Sequence, residues 1–391
     1  MSYHGHRVID MDSHVREYWD LDRTYQDYID PQYRETYAQF SAAVKARQRW
    51  VGDVGLGPVL WPLPPAHPLG AYDAFAVERD LRAPANGAPE RNPAGTHLGH
   101  VIDPACNWDP AVRLRDMDQA DVDVSVMFPS QSDGFCMLND VGFESALHWA
   151  YHRYMSDYCA ESEGRLFWIA DVTARDVPET IRMLEHWTKQ DPYFAGIHVP
   201  RALPDGTMLD NPVLHPLFAV SQELDMPIWI HGGSNRPPYT PWVAAPNAIY
   251  HGWGGQFAMA ALIGGGVFDR FPRLRFGLFE SGCGWMPWLV EKLDGSYHPG
   301  SKTTPFMKRT PSEIVASGQL FCSVEAEEGL IPEAVDKLGE DVWLFSTDYP
   351  HPGTCWPEGV PLIVGQEALA ESARLKLFET NAERFLPRLA R

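Results

Sequence analysis

The sequence lacks the signatures of several protein classes. No Gly-x-Gly-x-x-Gly or Walker-type loop follows an early strand-like segment, so a nucleotide-binding function has no support. No run of about 18 apolar residues predicts a membrane span, and the first residues lack the apolar stretch of a signal peptide. The six cysteines are scattered without a Cys-x-x-Cys pair. We therefore expect reduced thiols in a cytoplasmic protein.

Basic residues are also scarce. Lys and Arg number 32 against 52 Asp and Glu, which gives a formal net charge of −20. Such a surface repels nucleic acid and anionic membranes, so we expect neither as a partner and look instead for a small-molecule substrate. The 391 residues, 45% of them hydrophobic, suffice for one large barrel with insertions or for two ordinary domains.

From Trp108 onward the chain alternates regularly between apolar strands and helices. Together with the first apolar segment, the pattern predicts eight strands at 8–11, 122–128, 166–172, 195–200, 227–232, 274–280, 319–324 and 342–346. This alternation predicts an α/β protein, a (β/α)₈ TIM barrel in which residues 1–391 form one domain. A doubly wound open sheet is the alternative.

Residues 50–108 interrupt this alternation. They contain nine prolines and many glycines, and they show neither a helical nor a strand period. A stretch of this length without a period is usually a functional cover or a disordered linker. Trp50 and Trp61 make it too apolar for a linker. We therefore predict a lid or rim over the barrel, in which these two tryptophans line an apolar substrate pocket.

Candidate metal ligands stand at both ends of the chain. Asp12 and His14 are two residues apart on the first strand, so their side chains project from the same face. A barrel places its first and last strands side by side and its catalytic residues at strand C-terminal ends, which would bring Asp348 next to that pair. An isolated Asp-x-His is usually a surface turn, but the pairing with Asp348 favours a shared cation.

The middle strands add further candidates at their ends. His198 ends the fourth strand, His231 the fifth and Glu280 the sixth, and Glu325 follows the seventh. One strand-end histidine is more often a hydrogen-bonded structural residue than a ligand. Several histidines and carboxylates on one rim are harder to assign to structure, because buried charges are costly unless they are paired or coordinated.

These motifs resemble the metal-dependent hydrolase and decarboxylase branch of the amidohydrolase superfamily, which includes aminocarboxymuconate-semialdehyde decarboxylase and resorcylate-type decarboxylases. The resemblance rests on Asp-Met-Asp-Ser-His at 10–14, Gly-Val-Phe-Asp-Arg-Phe-Pro at 266–272, Ser-Thr-Asp-Tyr-Pro-His at 346–351, and the closing Asn-Ala-x-Arg at 381–384. It implies that the metal is bound by Asp12, His14, His231 and Asp348.

Two departures from the family pattern bear on the chemistry. Family decarboxylases and hydrolases usually carry a histidine at the end of the sixth strand as general base or proton donor, where this chain has Glu280. Binuclear members carry a carboxylated lysine on the fourth strand, where this chain has His198. These two residues are therefore candidates for catalysis and for holding a second metal.

The Glu-Ser-Gly-x-Gly-Trp segment at 280–285 is similar to a branch with reported dinuclear monooxygenases. We therefore favour a nonheme monooxygenase with two Fe, or Fe and Mn, that uses O₂ to hydroxylate a small organic acid or terpenoid-like substrate. One alternative is a hydrolase or nonoxidative decarboxylase with a single Zn or Mn. Another is a non-catalytic metal-binding subunit. We expect a homodimer or an assembly with a paralogous subunit.

The remaining candidates each have a structural interpretation as well. His351 is a ligand, a catalytic residue, a hydrogen-bond donor to Asp348, or a turn residue. His251 and Glu325 are possible ligands or neighbours of ligands. Arg201 would clamp a substrate carboxylate or form a surface ion pair. Trp285 lines an apolar pocket or packs in the core.

Overall fold

The computed structural model describes residues 3–47, 49–51, 56–59, 99–130, 132–203, 205–232, 244–296, 301–302, 304–351 and 354–390. Eight parallel strands pair in chain order: β1 Ile9–Val15, β2 Val124–Pro129, β3 Leu166–Asp171, β4 Phe194–His198, β5 Ile228–His231, β6 Phe276–Phe279, β7 Leu320–Glu325 and β8 Trp343–Ser346. The predicted TIM barrel is confirmed. The open doubly wound alternative is wrong, because the strand order never reverses.

Backbone hydrogen bonds join the first strand to the residues that follow the last. The amide of Asp348 donates to the carbonyl oxygen of Asp12 at 2.8 Å, and the amide of His14 donates to that of Tyr349 at 2.7 Å. Because these bonds run between the segments that carry the candidate ligands, barrel closure sets the backbones of Asp12 and Asp348 side by side.

The strands are buried on both faces, as expected for a parallel sheet that helices cover. All seven residues of β1 are buried. This strand continues to Val15, beyond the predicted end at residue 11, so Asp12 and His14 lie within it. Its register with β2 shifts between Asp10 and Ser13, and such an irregularity re-aims the side chains that follow it.

Helices surround the barrel: α1 Arg34–Arg47, α2 Pro110–Gln119, α3 Val141–Ala160, α4 Val177–Gln190, α5 His215–Glu223, α6 Ala244–Gly264, α7 Val267–Arg270, α8 Met286–Ser296, α9 Pro311–Val315, α10 Ile331–Leu338, α11 Gly359–Val364, α12 Glu371–Leu375 and α13 Asn381–Phe385. The sequence reasoning missed α9 and α11, which are too short to show a helical period. Before α1, the chain forms short 3₁₀ and π turns at Glu17–Asp20, Asp22–Gln26 and Pro31–Tyr33.

Aspartates begin the two helices that pack behind β3. Asp140 accepts hydrogen bonds from the amides of Gly142 and Phe143 at the start of α3. Asp176 accepts one from the amide of Glu179 at the start of α4. Each carboxylate satisfies amides that have no partner within the helix, which fixes where the helix starts.

Most of the predicted lid lies outside the described residues. Of residues 50–108, the structure describes parts of an antiparallel ribbon, Arg49–Val51 with Leu56–Val59, and the stretch from residue 99. Trp61 and the side chain of Trp50 are outside it, so the lid and their pocket-lining role stay predictions. Within the described part, the helices are all too short or too polar to cross a membrane.

Candidate metal centre

Three donors from two strands converge at the carboxyl end of the barrel. Oδ1 of Asp12 lies 3.4 Å from Nε2 of His14 and 3.5 Å from Nε2 of His231. All three atoms are buried and have no hydrogen-bond partner. Unsatisfied buried polar atoms are costly. Their convergence within 4.8 Å of one another fits a cation that all three share.

Asp348, two residues after the end of β8, joins this group. Its Oδ1 lies 3.3 Å from Nε2 of His14 and accepts a hydrogen bond from Nδ1 of His351 at 2.7 Å. The other ring nitrogen of His351 lies 2.9 Å from the hydroxyl of Ser130. Both nitrogens of His351 therefore have partners within the protein. Of the roles predicted for His351, this geometry favours that of a hydrogen-bond donor that orients Asp348.

Glu280 lies on the other side of His231. Its Oε2 is 3.4 Å from Nε2 of His231, and its Oε1 is 3.1 Å from Nδ1 of His251, which α6 supplies. Within the described part of the chain, two groups have three donor atoms within 4.8 Å of one another. One is Asp12, His14 and His231, and the other is His14, Asp348 and His351. Neither group contains Glu280 or His198. The predicted second metal at these two residues stays a prediction.

Two of the acidic candidates have left-handed backbones. The φ angle is 46° at Glu280 and 55° at Asp348. This region is uncommon for residues other than glycine and costs on the order of 1–3 kcal/mol. Such strain concentrates where a side chain must be held in one place, which fits a functional role for both carboxylates.

The charges in the mouth of the barrel are unbalanced. Burial disfavours the charged form of His231, but the carboxylates of Asp12 and Glu280 raise its pKa to about 10. Burial and the charge of Glu280 raise the pKa of Asp348 well above its usual range. Burial, Glu280 and Asp348 raise the pKa of Glu325 to about 9. The protons held by these three side chains supply positive charge. A bound divalent cation would supply positive charge in their place.

A second polar group lies at the ends of β3 and β4. Nδ1 of His198 donates to Oδ1 of Asp171 at 2.6 Å, and the hydroxyl of Ser132 donates to the other carboxylate oxygen. Sequence reasoning missed Asp171 and Ser132. For Asp171 a signal was available, because an acidic residue ends the otherwise apolar strand Leu166–Asp171.

Two of the predicted substrate-binding residues, Arg201 and Trp285, are held by contacts within the protein. Arg201 is buried, and its guanidinium lies so close to Gly254 of α6 that any side chain there would collide with it. Trp285 is partly buried, and its indole nitrogen donates to the carbonyl oxygen of Ser281 at 2.7 Å. Their contacts with a substrate stay predictions.

Comparisons with known proteins agree with this fold. The amidohydrolase family model matches residues 9–388. The chain is 27% identical over 300 residues to a 2-amino-3-carboxymuconate-6-semialdehyde decarboxylase from Dictyostelium discoideum, covering 73% of this chain and 78% of that protein.

Two solved structures share the fold at low identity. One is a 5-carboxyvanillate decarboxylase from Novosphingobium aromaticivorans complexed with manganese and a nitrobenzoic acid. It is 19% identical, with a TM-score of 0.66 and coverage of 97% of this chain and 96% of that one. The other is a 2,6-dihydroxybenzoate decarboxylase from Rhizobium, 20% identical, with a TM-score of 0.57 and coverage of 70% and 86%.

Proposed function

The chain belongs to the amidohydrolase family, and we propose that it is a metal-dependent nonoxidative decarboxylase of a small carboxylic acid. The observation that carries this proposal is the convergence of unbonded donors from Asp12, His14 and His231 beside Asp348. The decarboxylase relative from Dictyostelium discoideum supports it.

The donor set fits one divalent ion. Two imidazoles and two carboxylates suit Zn²⁺ or Mn²⁺, and Asp12, His14, His231 and Asp348 would hold it. When bound, the ion would supply positive charge that attracts the oxygens of an anionic substrate. The hydrogen bond from His351 would keep Asp348 turned towards that position.

Side chains around the donors suit a carboxylate substrate. The ring of Phe128 lies 4.7 Å from that of His231 and 5.8 Å from that of His14, measured between centroids, so one wall of the site is apolar. An apolar wall removes water from a carboxylate, which destabilises the charged acid relative to neutral CO₂. We assign Arg201 to bind a second anionic group of the substrate.

The dinuclear monooxygenase interpretation has less support. None of the relatives described above is named as an oxygenase. Glu280 is occupied by contacts with His231 and His251, and neither Glu280 nor His198 belongs to a three-donor group in the described chain. A hydrolase with a single metal would use the same donor set. Hydrolysis and decarboxylation are therefore distinguished by the products that the enzyme forms.

The test uses the full chain loaded with Mn²⁺, Zn²⁺ or Fe²⁺ and incubated both with and without O₂. The probes are 2,6-dihydroxybenzoate, 5-carboxyvanillate, a panel of unsaturated carboxylic acids, and the methyl esters and amides of these acids. We expect one metal per chain and release of CO₂ from at least one acid. Two metals with O₂ uptake would favour the monooxygenase, and ester or amide cleavage alone would favour a hydrolase. Activity that appears only with a paralogous chain would favour the non-catalytic subunit.

A further inference from the structure

The His198 side chain is held at one ring nitrogen and unpaired at the other. It is 5% exposed. Its Nδ1 donates to the buried carboxylate of Asp171, whereas its Nε2 is buried without a hydrogen-bond partner. Burial would raise the pKa of Asp171, but the charge and hydrogen bond of His198 lower it. Asp171 therefore stays ionised and holds a proton on Nδ1.

The ring of His198 borders the candidate metal centre. Its ring centroid lies 6.0 Å from that of Phe128 and 6.2 Å from that of His231, with edge-to-face geometry in both cases. Phe128 also contacts the ring of His14. His198 thus shares one aromatic wall with two proposed ligands, although it belongs to neither three-donor group of the described chain.

A second buried histidine at Asp171 provides the comparison. His152 donates from Nε2 to the backbone carbonyl oxygen of Asp171 at 2.8 Å. Its Nδ1 accepts a hydrogen bond from the indole of Trp187 at 3.1 Å. Both nitrogens of His152 are therefore hydrogen-bonded within the protein. His198 has one nitrogen, Nε2, that could bond to a bound molecule.

We propose that His198, oriented by Asp171, donates the proton that replaces the substrate carboxylate. This inference rests on the proposed function and names the residue that completes its reaction. The bond between the substrate carbon and its carboxylate breaks, neutral CO₂ leaves, and the bonding electron pair stays on the carbon. That pair takes the proton from Nε2, which leaves His198 neutral until it regains a proton from water.

Three neighbouring histidines have other roles in the site. His14 and His231 point their Nε2 atoms at Asp12, and both nitrogens of His351 have protein partners. Asp171 plays the part of the carboxylate that orients an imidazole. A general acid placed in this way typically accelerates proton transfer 10²–10⁴-fold, to order of magnitude.

The test compares four metal-loaded proteins on the acid that releases CO₂ from the wild type. We expect His198→Asn to lower kcat at least ~100-fold with little change in KM and the wild-type metal content. Asp171→Asn should give a smaller loss, since it keeps the hydrogen bond and removes the charge. His152→Gln is the matched control and should keep the wild-type kcat.

Proton transfer itself is measured by incubating the decarboxylated product with enzyme in D₂O. Wild type should exchange the hydrogen at the carbon that carried the carboxylate, and His198→Asn should not. Added imidazole should restore exchange to His198→Ala. A kcat within about threefold of wild type, or loss of metal from the His198 variants, overturns the proposal, and the latter outcome makes His198 a ligand.

The outcomes separate this inference from the proposed function. If the His198 variants fail to fold, the exchange rate of Asp171→Asn decides, and a wild-type rate overturns the proposal. If no acid releases CO₂ from the wild type, the proposed function and this inference both fall. If CO₂ is released with unchanged rates in all variants, only the inference falls.

Discussion

Two buried histidines, one behind β3 and one at the mouth of the barrel, differ in how completely their rings are hydrogen-bonded. Behind β3, His152 lies among the strand, α3 and α4 with both ring nitrogens bonded. At the mouth, His14 is equally buried, but its Nε2 is unbonded and converges with atoms of Asp12 and His231. Burial is therefore common to both regions. Convergent unsatisfied atoms distinguish the candidate metal centre from the region behind β3.

The largest effect should follow loss of a donor from the mouth. Loss of residues that only orient ligands costs 10–100-fold, to order of magnitude, in metal affinity or activity. We expect His14→Ala to lower activity by at least ~100-fold and to lose most of its metal, measured as metal per chain. His215→Ala, on α5 against Phe271, is the control. If the His14→Ala protein kept its full metal content, convergent unbonded atoms would not identify the metal site.

Metal should stabilise the fold through the mouth alone. Mn²⁺ at 100 times its Kd should raise the free energy of unfolding by about 2.7 kcal/mol, since the ion binds only the folded chain. Urea unfolding with and without Mn²⁺ measures this difference. Asp12→Asn should lose most of it and His152→Gln should keep it. An equal gain in Asp12→Asn would place the ion elsewhere.

The region behind β3 should be sensitive to acid. Burial lowers the pKa of His152 to about 3, whereas the unfolded chain binds that proton near pH 6.5. Stability is therefore lost as the pH falls from about 6.5 towards 3, by at most ~1.4 kcal/mol per pH unit from this residue.

His152→Gln should remove the contribution of one proton to the change of the free energy of unfolding with pH. The measurement is the free energy of unfolding in urea at several pH values between 7 and about 4. His4→Gln, at a side chain that is 69% exposed, is the control and should keep the wild-type slope. Equal slopes for wild type and His152→Gln would show that burial does not keep His152 neutral in the folded protein.

The smallest effect should come from the cap of α4, the helix that supplies Trp187 to His152. Asp176→Ala removes the hydrogen bond from the amide of Glu179 and should cost about 1 kcal/mol of stability. Thermal unfolding measures the loss, and metal per chain should stay unchanged. A fall in metal content would show that the two regions are mechanically linked.

Much of the fold and part of the site follow from local pattern. All eight predicted strands overlap the observed ones, because buried parallel strands form apolar runs that stand out between helices. The approach of Asp348 to Asp12 was predictable as well, since closure of a barrel joins its first and last strands. The short helices α9 and α11 were not, because one turn and a half has no readable period.

The sequence by itself determined which side chains stand at the strand ends, because a strand end follows from composition and period. Only the tertiary structure decided which of their atoms are bonded. Nδ1 of His198 meets Asp171, Glu280 lies between His231 and His251, and His351 is saturated. These contacts depend on the stagger of neighbouring strands and on side-chain rotamers, which join residues far apart in the chain and leave no local pattern.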